Sequence, residues 1–97
     1  MTCKINGRRL RFALVDSGLD VPCITYDTLC HVVDDKAPVL RPPLQNLVNF
    51  TGLKVPCRGI ATVNFACGTW VENNIDVYVV DHAPSSFVIS NSLCALA

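Results

Sequence analysis

The stretch LRFALVDSGLDVPCI, from Leu10 to Ile24, carries most of the information about this chain. It is an apolar run that leads one carboxylate, Asp16, directly into Ser17 and Gly18. A lone carboxylate at the end of a hydrophobic strand is costly unless it is paired, hydrogen-bonded or protonated. Asp, Ser and Gly are also ordinary turn residues. The sequence therefore predicts either a chemical role for Asp16 or a polar turn that ends a strand.

The residues before Asp16 have the period of a β-hairpin. The segment CKI leads to Asn6-Gly7, which is the strongest short hairpin signal. RRLRFALVD then returns as a second strand in which apolar and other residues alternate. The alternation fails after Phe12, where FALV is continuously apolar. This change predicts a strand that passes from an exposed hairpin into a core buried on both faces.

The rest of the chain is also rich in short strands separated by turn residues. VPCITY is extended, TYDTLCHVV is either a short helical turn or a strand end, and residues 34–46, with three prolines, form a surface loop. LVNFTGLKVPC predicts a hairpin with Thr51-Gly52 at its tip, and residues 59–81 predict two strands that bend at Cys67-Gly68. FVI is a short strand, and SNSLCALA is a helical turn capped by Ser90 or Asn91. About seven strands and one small helix indicate an all-β barrel or sandwich.

Length and composition limit what such a domain can do. Residues 1–97 form a single domain, with 51% hydrophobic and 16% charged residues. That apolar excess makes a subunit interface a natural expectation. The net charge is zero and no basic run exceeds Arg8-Arg9, so we expect no nucleic-acid partner. No apolar run approaches the roughly 20 residues of a membrane span, and MTCKING does not resemble a signal peptide, so we expect no membrane partner.

The six cysteines favour an intracellular, cytoplasmic protein with reduced thiols. Four of them lie in or beside apolar segments, where a thiol serves as a small hydrophobic group, and no secretory signal is visible. A disulfide framework is the less favoured alternative. No Cys/His spacing fits a zinc site, so we expect neither a metal nor a cofactor. The cysteines lie at positions 3, 23, 30, 57, 67 and 94.

Four segments together resemble one protein family. FALVDSGLDVPCITYDTL resembles the active-site segment of retropepsins, the aspartic proteases of retroviruses and retrotransposons and their domesticated cellular relatives. INGRRLRFALVD is similar to the family's opening hairpin, and LVNFTGLKVPCRG lies where its flap hairpin is expected. VYVVDHAPSSFVISNSL resembles the closing strand, turn and helix. The resemblance covers nearly the whole chain in order.

The resemblance implies a small closed β-barrel of retropepsin type, with one short C-terminal helix, that works as a homodimer. Each chain would supply one catalytic Asp16, and the two carboxylates would share a proton and activate a water. Ser17 would brace the pair by a hydrogen bond across the two-fold axis. Gly18 would permit close backbone approach. Asp16 would then be paired with its own symmetry mate.

The same resemblance places a polypeptide-binding cleft around the active-site segment. Asp20 matches a second acidic residue that often meets the substrate backbone, although a salt-bridged or capping role fits it equally well. Trp70 and Tyr78 are expected in core or interface packing. The residues expected to contact a substrate are Leu19, Asp20, Phe50, Thr51, Gly52, Leu53 and Ile89.

Three departures from the family pattern leave the activity open. Leu19 stands where the family has a small Ala, Ser90 replaces a Gly, and Phe50 and Leu53 make the flap tip apolar. These changes could narrow the cleft, push on the active-site loop, or hold the flap shut. Three hypotheses therefore stay open. The first is an active aspartic endopeptidase, and the second is a retrotransposon-derived fold with impaired catalysis, retained for dimerisation or for binding a protein partner. The third is a β-barrel unrelated to proteases.

Overall fold

The computed structural model describes residues 3–10, 13–15, 21–34, 37–43, 52–83 and 85–94, without the side chains of Asn91 and Cys94. Within these residues the chain forms seven strands and two helices. The strands are β1 (Cys3–Ile5), β2 (Arg8–Arg9), β3 (Ala13–Val15), β4 (Cys23–Thr25), β5 (Cys57–Cys67), β6 (Trp70–Val80) and β7 (Phe87–Ile89). The helices are α1 (Tyr26–Val33) and α2 (Asn91–Cys94).

All seven strands belong to one sheet that curls into a half-barrel. Their order is β2-β1-β5-β6-β4-β7-β3. β5 and β6 form a long antiparallel hairpin, whereas β4 pairs parallel with β6 and β3 pairs parallel with β7. The predicted all-β fold is confirmed.

The opening hairpin forms at the predicted turn, but its returning strand is shorter than predicted, since β2 ends at Arg9 and β3 pairs with β7 instead. β1 pairs antiparallel with β2, with Lys4 opposite Arg9 and Ile5 opposite Arg8. Asn6 and Gly7 at the turn have φ angles of 52° and 79°. Two consecutive positive φ angles are the requirement of a type I′ turn, which Asn-Gly meets at low cost. The turn therefore follows from the two residues themselves.

The core lies inside the curl of the sheet, around Phe65. The Phe65 ring packs edge-on against Trp70, with centroids 4.9 Å apart, and stacks with Phe87 at 5.6 Å. A second cluster surrounds Tyr78, which is 4% exposed. The packing roles predicted for Trp70 and Tyr78 are confirmed.

The segment TYDTLCHVV, for which the sequence allowed either a helical turn or a strand end, contains helix α1. Its buried residues are Leu29 and Val32, three positions apart on one face. Asp27 lies in the first turn and His31 in the last. The chain leaves α1 through Asp34, whose left-handed backbone lets its N–H donate to the carbonyl of Cys30.

Strand β3 differs from its prediction. All three of its residues are exposed, and Leu14 and Val15 have exposed fractions of 40% and 65%. The continuous apolar run had predicted a core buried on both faces. That prediction was wrong for the single chain, because β3 lies at the end of the sheet order and has only β7 beside it among the described strands.

The proline-rich segment is coil at residues 37–43 except for one bridge to the sheet, at Arg41. The backbone N–H of Arg41 donates to the carbonyl of Ile60 at 2.9 Å, and the N–H of Ile60 donates back at 2.8 Å. The guanidinium of Arg41 also donates to Asp76 at 2.6 Å and to Thr62 at 2.9 Å. These bonds fix the segment onto the β5–β6 hairpin.

The Arg41–Asp76 pair makes a small, pH-dependent contribution to stability. The hydrogen bonds from Arg41 and then Thr62 hold the pKa of the Asp76 carboxyl below its ordinary value of 3.8. A depressed pKa stabilises the fold above the unfolded-state pKa, and this is lost as the pH falls through the folded-state pKa. Since both side chains are about half exposed, we expect Arg41→Met to cost less than about 1 kcal/mol at pH 7.

A double-mutant cycle of Arg41→Met and Asp76→Asn, by urea unfolding, measures this coupling directly. The coupling free energy should be favourable at pH 7 and should shrink once the pH falls below 3.8. A coupling of equal size at pH 7 and pH 2.5 would show that the charge pair is not its source.

One cysteine pair overturns the prediction that all six thiols are reduced. Cys3 and Cys67 form a disulfide across a sequence separation of 64 residues. The reason is register, since Cys3 of β1 lies directly opposite Cys67 of β5. Cys23, Cys30 and Cys57 are not in disulfides, and the side chain of Cys94 lies outside the description. The intracellular location inferred from reduced thiols stays a prediction.

Neither helix of the described residues is both long and apolar enough to cross a lipid bilayer.

Candidate active site

Strand β3 leads the chain into the predicted catalytic segment, and β7 lies beside it. The two strands are parallel, with Leu14 opposite Val88 and Val15 opposite Ile89. Val15 is the last described residue before Asp16. Ile89, predicted to contact a substrate, is therefore held next to the residue that precedes the predicted catalytic carboxylate. The pairing explains how segments distant in sequence contribute to one site.

The residue after β7 is Ser90, where the family pattern has a glycine. Ser90 is fully buried, and its hydroxyl accepts a hydrogen bond from the backbone N–H of Leu93 at 3.3 Å. It also lies 2.8 Å from the hydroxyl of Ser92. The hydroxyl thus caps α2 in the manner predicted for Ser90 or Asn91. The fold accommodates this side chain by turning its polar atom toward the helix.

An apolar pocket of about 260 Å³ opens beside Val15. Its described lining residues are all apolar or disulfide-bonded, and Ile89, only 5% exposed, is one of them. Such a pocket can take an apolar group, and its described lining residues supply no acid or base. The described residues that line it are Cys3, Leu10, Ala13, Val15, Cys67, Trp70 and Ile89.

Of the flap residues predicted to contact a substrate, Gly52 and Leu53 are described. Gly52 has a φ of 84° and its Cα faces open space, as a hairpin tip requires. Leu53 is 66% exposed. The structure therefore brings neither residue into the pocket beside Val15, and both lie on the surface of the single chain.

The other predicted site residues lie outside the described residues. They are Asp16, Ser17, Gly18, Leu19 and Asp20 of the active-site segment and Phe50 and Thr51 of the flap. Their catalytic and binding roles stay predictions. Among the described residues, no three His, Cys, Asp or Glu side chains come together as metal ligands would.

Sequence reasoning missed two features near the site. The Cys3–Cys67 disulfide and Trp70 line the pocket beside Val15. Arg41 anchors the segment that leads toward the predicted flap. Both features depend on pairing between residues far apart in the sequence. The only local signal was the alternation that placed Cys3 and Ile5 on the same face of β1.

Comparisons with known proteins find similarity among solved structures. No protein-family model matches the chain, and no curated protein matches it. The solved structure of the retroviral protease-like domain of Ddi1 from Leishmania major does match, with a TM-score of 0.65. The match covers 97% of this chain and 72% of the other, at 14% sequence identity.

A sequence identity this low shows a common fold and leaves activity open. The likeness favours the two hypotheses that share a retropepsin-like fold. The chain has a retropepsin-like fold.

Proposed function

We propose that this chain is a homodimeric aspartic endopeptidase, with residues 1–97 as one domain and one Asp16 from each subunit in the active site. Two adjacent carboxylates share one proton, because both cannot ionise at hydrogen-bonding distance. The ionised Asp16 takes a proton from a bound water, and the protonated one polarises the scissile carbonyl. The water oxygen then attacks the carbonyl carbon to form a tetrahedral intermediate. The C–N bond breaks as an Asp16 carboxyl returns a proton to the leaving amine nitrogen, so no metal or cofactor is required.

The observation that carries the proposal is the exposed apolar edge formed by β3. A strand of Ala, Leu and Val with every residue exposed is unfavourable in a lone chain, because its edge and apolar side chains remain in water. This edge ends at Val15, immediately before the Asp16-Ser17-Gly18 sequence. A second copy packed there would cover the apolar residues and bring the two Asp16 carboxylates together.

The pocket beside Val15 fits a peptide substrate with an apolar side chain. Ile89 lines it through the register of β3 and β7. In this proposal Ser17 braces the carboxylates by a hydrogen bond and Gly18 permits the close backbone approach. The remaining residues contact the peptide from the active-site loop and the flap. Those remaining residues are Leu19, Asp20, Phe50, Thr51, Gly52 and Leu53.

The second candidate function is a protein-binding dimer without cleavage. The described observation that favours it is Leu53, an apolar side chain 66% exposed on the predicted flap. Together with the sequence at Phe50 and Leu19, it would fill the cleft with apolar groups. Ser90 caps α2 with its hydroxyl, and its predicted effect on the active-site loop concerns residues outside the described ones.

The dimer is tested by charging the β3 edge. We expect Val15→Lys to convert a dimer into a monomer, raising the dissociation constant at least 100-fold, because a buried, unpaired ammonium is costly. Val15 is 65% exposed in the single chain, so the variant should still fold. Sedimentation equilibrium and circular dichroism measure the two properties.

Val71→Lys is the matched control. Val71 is also an exposed valine on a strand, at 57%, but it lies on β6, three places from β3 in the sheet order, and it is not among the described residues that line the pocket beside Val15. This variant should dimerise like the wild type. A wild type that sediments as a monomer at high micromolar concentration would refute the homodimer. If both variants weaken dimerisation equally, the dimer interface does not lie at β3.

A further inference from the structure

The Cys3–Cys67 disulfide joins the first strand of the sheet, β1, to the long strand β5. Cys3 belongs to β1 and Cys67 to the end of β5, and the two residues are register partners. Among the described strands β1 pairs only with β2 and β5, and only three register pairs join it to β5. The disulfide therefore covalently ties the opening hairpin to the long hairpin that carries much of the core.

The same pair lines the pocket beside the predicted catalytic segment. Cys3 and Cys67 share that pocket with Val15 and Ile89. Their exposed fractions are 8% and 6%, so a little of each residue reaches solvent. A small-molecule thiol that enters the pocket meets both residues, because they are part of its lining. The redox state of the pair and the shape of the pocket are thus linked.

We propose that Cys3 and Cys67 form a thiol–disulfide exchange site that responds to small-molecule thiols of the glutathione class. In the oxidising direction the two protein thiols react with one glutathione disulfide. The Cys3–Cys67 S–S bond forms, the glutathione S–S bond breaks, and two glutathione thiols leave with the two protons. The protein loses two electrons, which the glutathione disulfide gains. Reduction is the same exchange in reverse.

The exchange has a structural consequence at the pocket. In the oxidised chain the covalent tie fixes β1 against β5 and holds the pocket wall that faces Val15. In the reduced chain the strand contacts alone hold β1. The closed loop spans 64 residues, and constraining a loop of this size stabilises a fold substantially through the unfolded state. Reduction should therefore lower stability and loosen the pocket together.

Trp70 provides a reporter at the site. It is the only tryptophan in the chain, it is the register partner of Cys67, and it lines the same pocket. A disulfide quenches the fluorescence of a nearby indole, so reduction should raise the emission of Trp70. This signal depends on neither dimerisation nor peptide cleavage, and it therefore tests the exchange site apart from the proposed function.

The experiment equilibrates the purified chain in buffers with different ratios of reduced to oxidised glutathione. At each ratio we measure Trp70 emission, the number of alkylated thiols by mass, and the melting temperature. We expect one transition in which two thiols appear, emission rises and the melting temperature falls by about 10 °C or more. If the chain is the proposed peptidase, its cleavage activity should change over the same range of glutathione ratios.

Two variants complete the test. Cys3→Ser with Cys67→Ser should abolish all three redox responses. Cys57→Ser is the matched control, because Cys57 begins the strand that Cys67 ends, and it should keep them. If Cys3 and Cys67 are alkylated at every glutathione ratio, or if the double variant still shows the transition, the proposed exchange site is refuted. If only the activity response is absent, the exchange site stands and the proposed protease function is in question.

Discussion

Asp16→Asn should reduce peptide cleavage by about 100- to 10,000-fold, the usual range for removing a group that transfers protons in the transition state. Asparagine keeps the shape of aspartate and can still form hydrogen bonds, but it cannot take a proton from the attacking water. The dimer should remain, and its stability should be equal or greater, because two neutral amides replace two acids that compete for one proton. Single-turnover cleavage and sedimentation measure the two effects.

Asp27→Asn is the control for this substitution. Asp27 is an exposed aspartate in the first turn of α1, so the same chemical change there should cost only a few tenths of a kcal/mol through the helix dipole. Its cleavage rate should match the wild type. If Asp16→Asn cleaves as fast as Asp27→Asn, Asp16 is not the catalytic residue.

Leu19→Ala distinguishes the two candidate functions. If Leu19 obstructs the cleft, the smaller side chain should raise or create cleavage, because it opens space over the attacking water. If the wild type is already an efficient peptidase, the same change should alter side-chain preference and leave the rate similar. A wild type that cleaves a defined site well rules out the non-catalytic dimer. A wild type and a Leu19→Ala variant that both dimerise but never cleave a broad peptide library rule out the peptidase.

Gly59→Ala should destabilise the fold by about 2–4 kcal/mol, through overpacking and backbone strain together. The added Cβ would lie 2.6 Å from the carbonyl oxygen of Arg41 and 2.8 Å from the Cβ of Leu40. Neither atom can rotate away, since one is backbone and the other is fixed to it. Gly59 also has a φ of 154°, which L-residues rarely adopt.

Relief of that collision would require moving the Leu40–Arg41 segment off β5. The paired backbone hydrogen bonds between Arg41 and Ile60 and the contact of Arg41 with Asp76 would then weaken together. Because this segment leads toward the predicted flap, the variant should also lose cleavage activity under conditions in which it remains folded. Urea unfolding and a cleavage assay at low temperature separate the two losses.

Gly7→Ala separates the collision from backbone strain. Gly7 also has a positive φ, 79°, but a Cβ there would meet nothing within 4 Å. It should cost only about 1–2 kcal/mol, the price of a left-handed conformation for an L-residue. Equal losses for Gly7→Ala and Gly59→Ala would show that the close approach of Arg41 contributes nothing.

The sequence by itself determined the features that depend on neighbouring residues. Asn6-Gly7 predicts its hairpin because the turn requires two positive φ angles, and Ser90 predicts the start of α2 because its hydroxyl can accept a nearby N–H. The Asp-Ser-Gly motif and its three companion segments indicated a retropepsin-like fold and proposed Asp16 as the catalytic residue. Local chemistry and order along the chain were sufficient for the hairpin, the helix cap and the fold, whereas the role of Asp16 stays a prediction.

Only the tertiary structure decided which strands became neighbours, and the wrong predictions were of that kind. The apolar run at Ala13–Val15 predicted burial, but burial depends on what lies on either side of a strand, and β3 lies at the edge of the sheet. Cys3 and Cys67 form a disulfide because strand register places residues 64 positions apart opposite each other. Such long-range pairings are fixed by the packing of the whole sheet, and no local pattern encodes them.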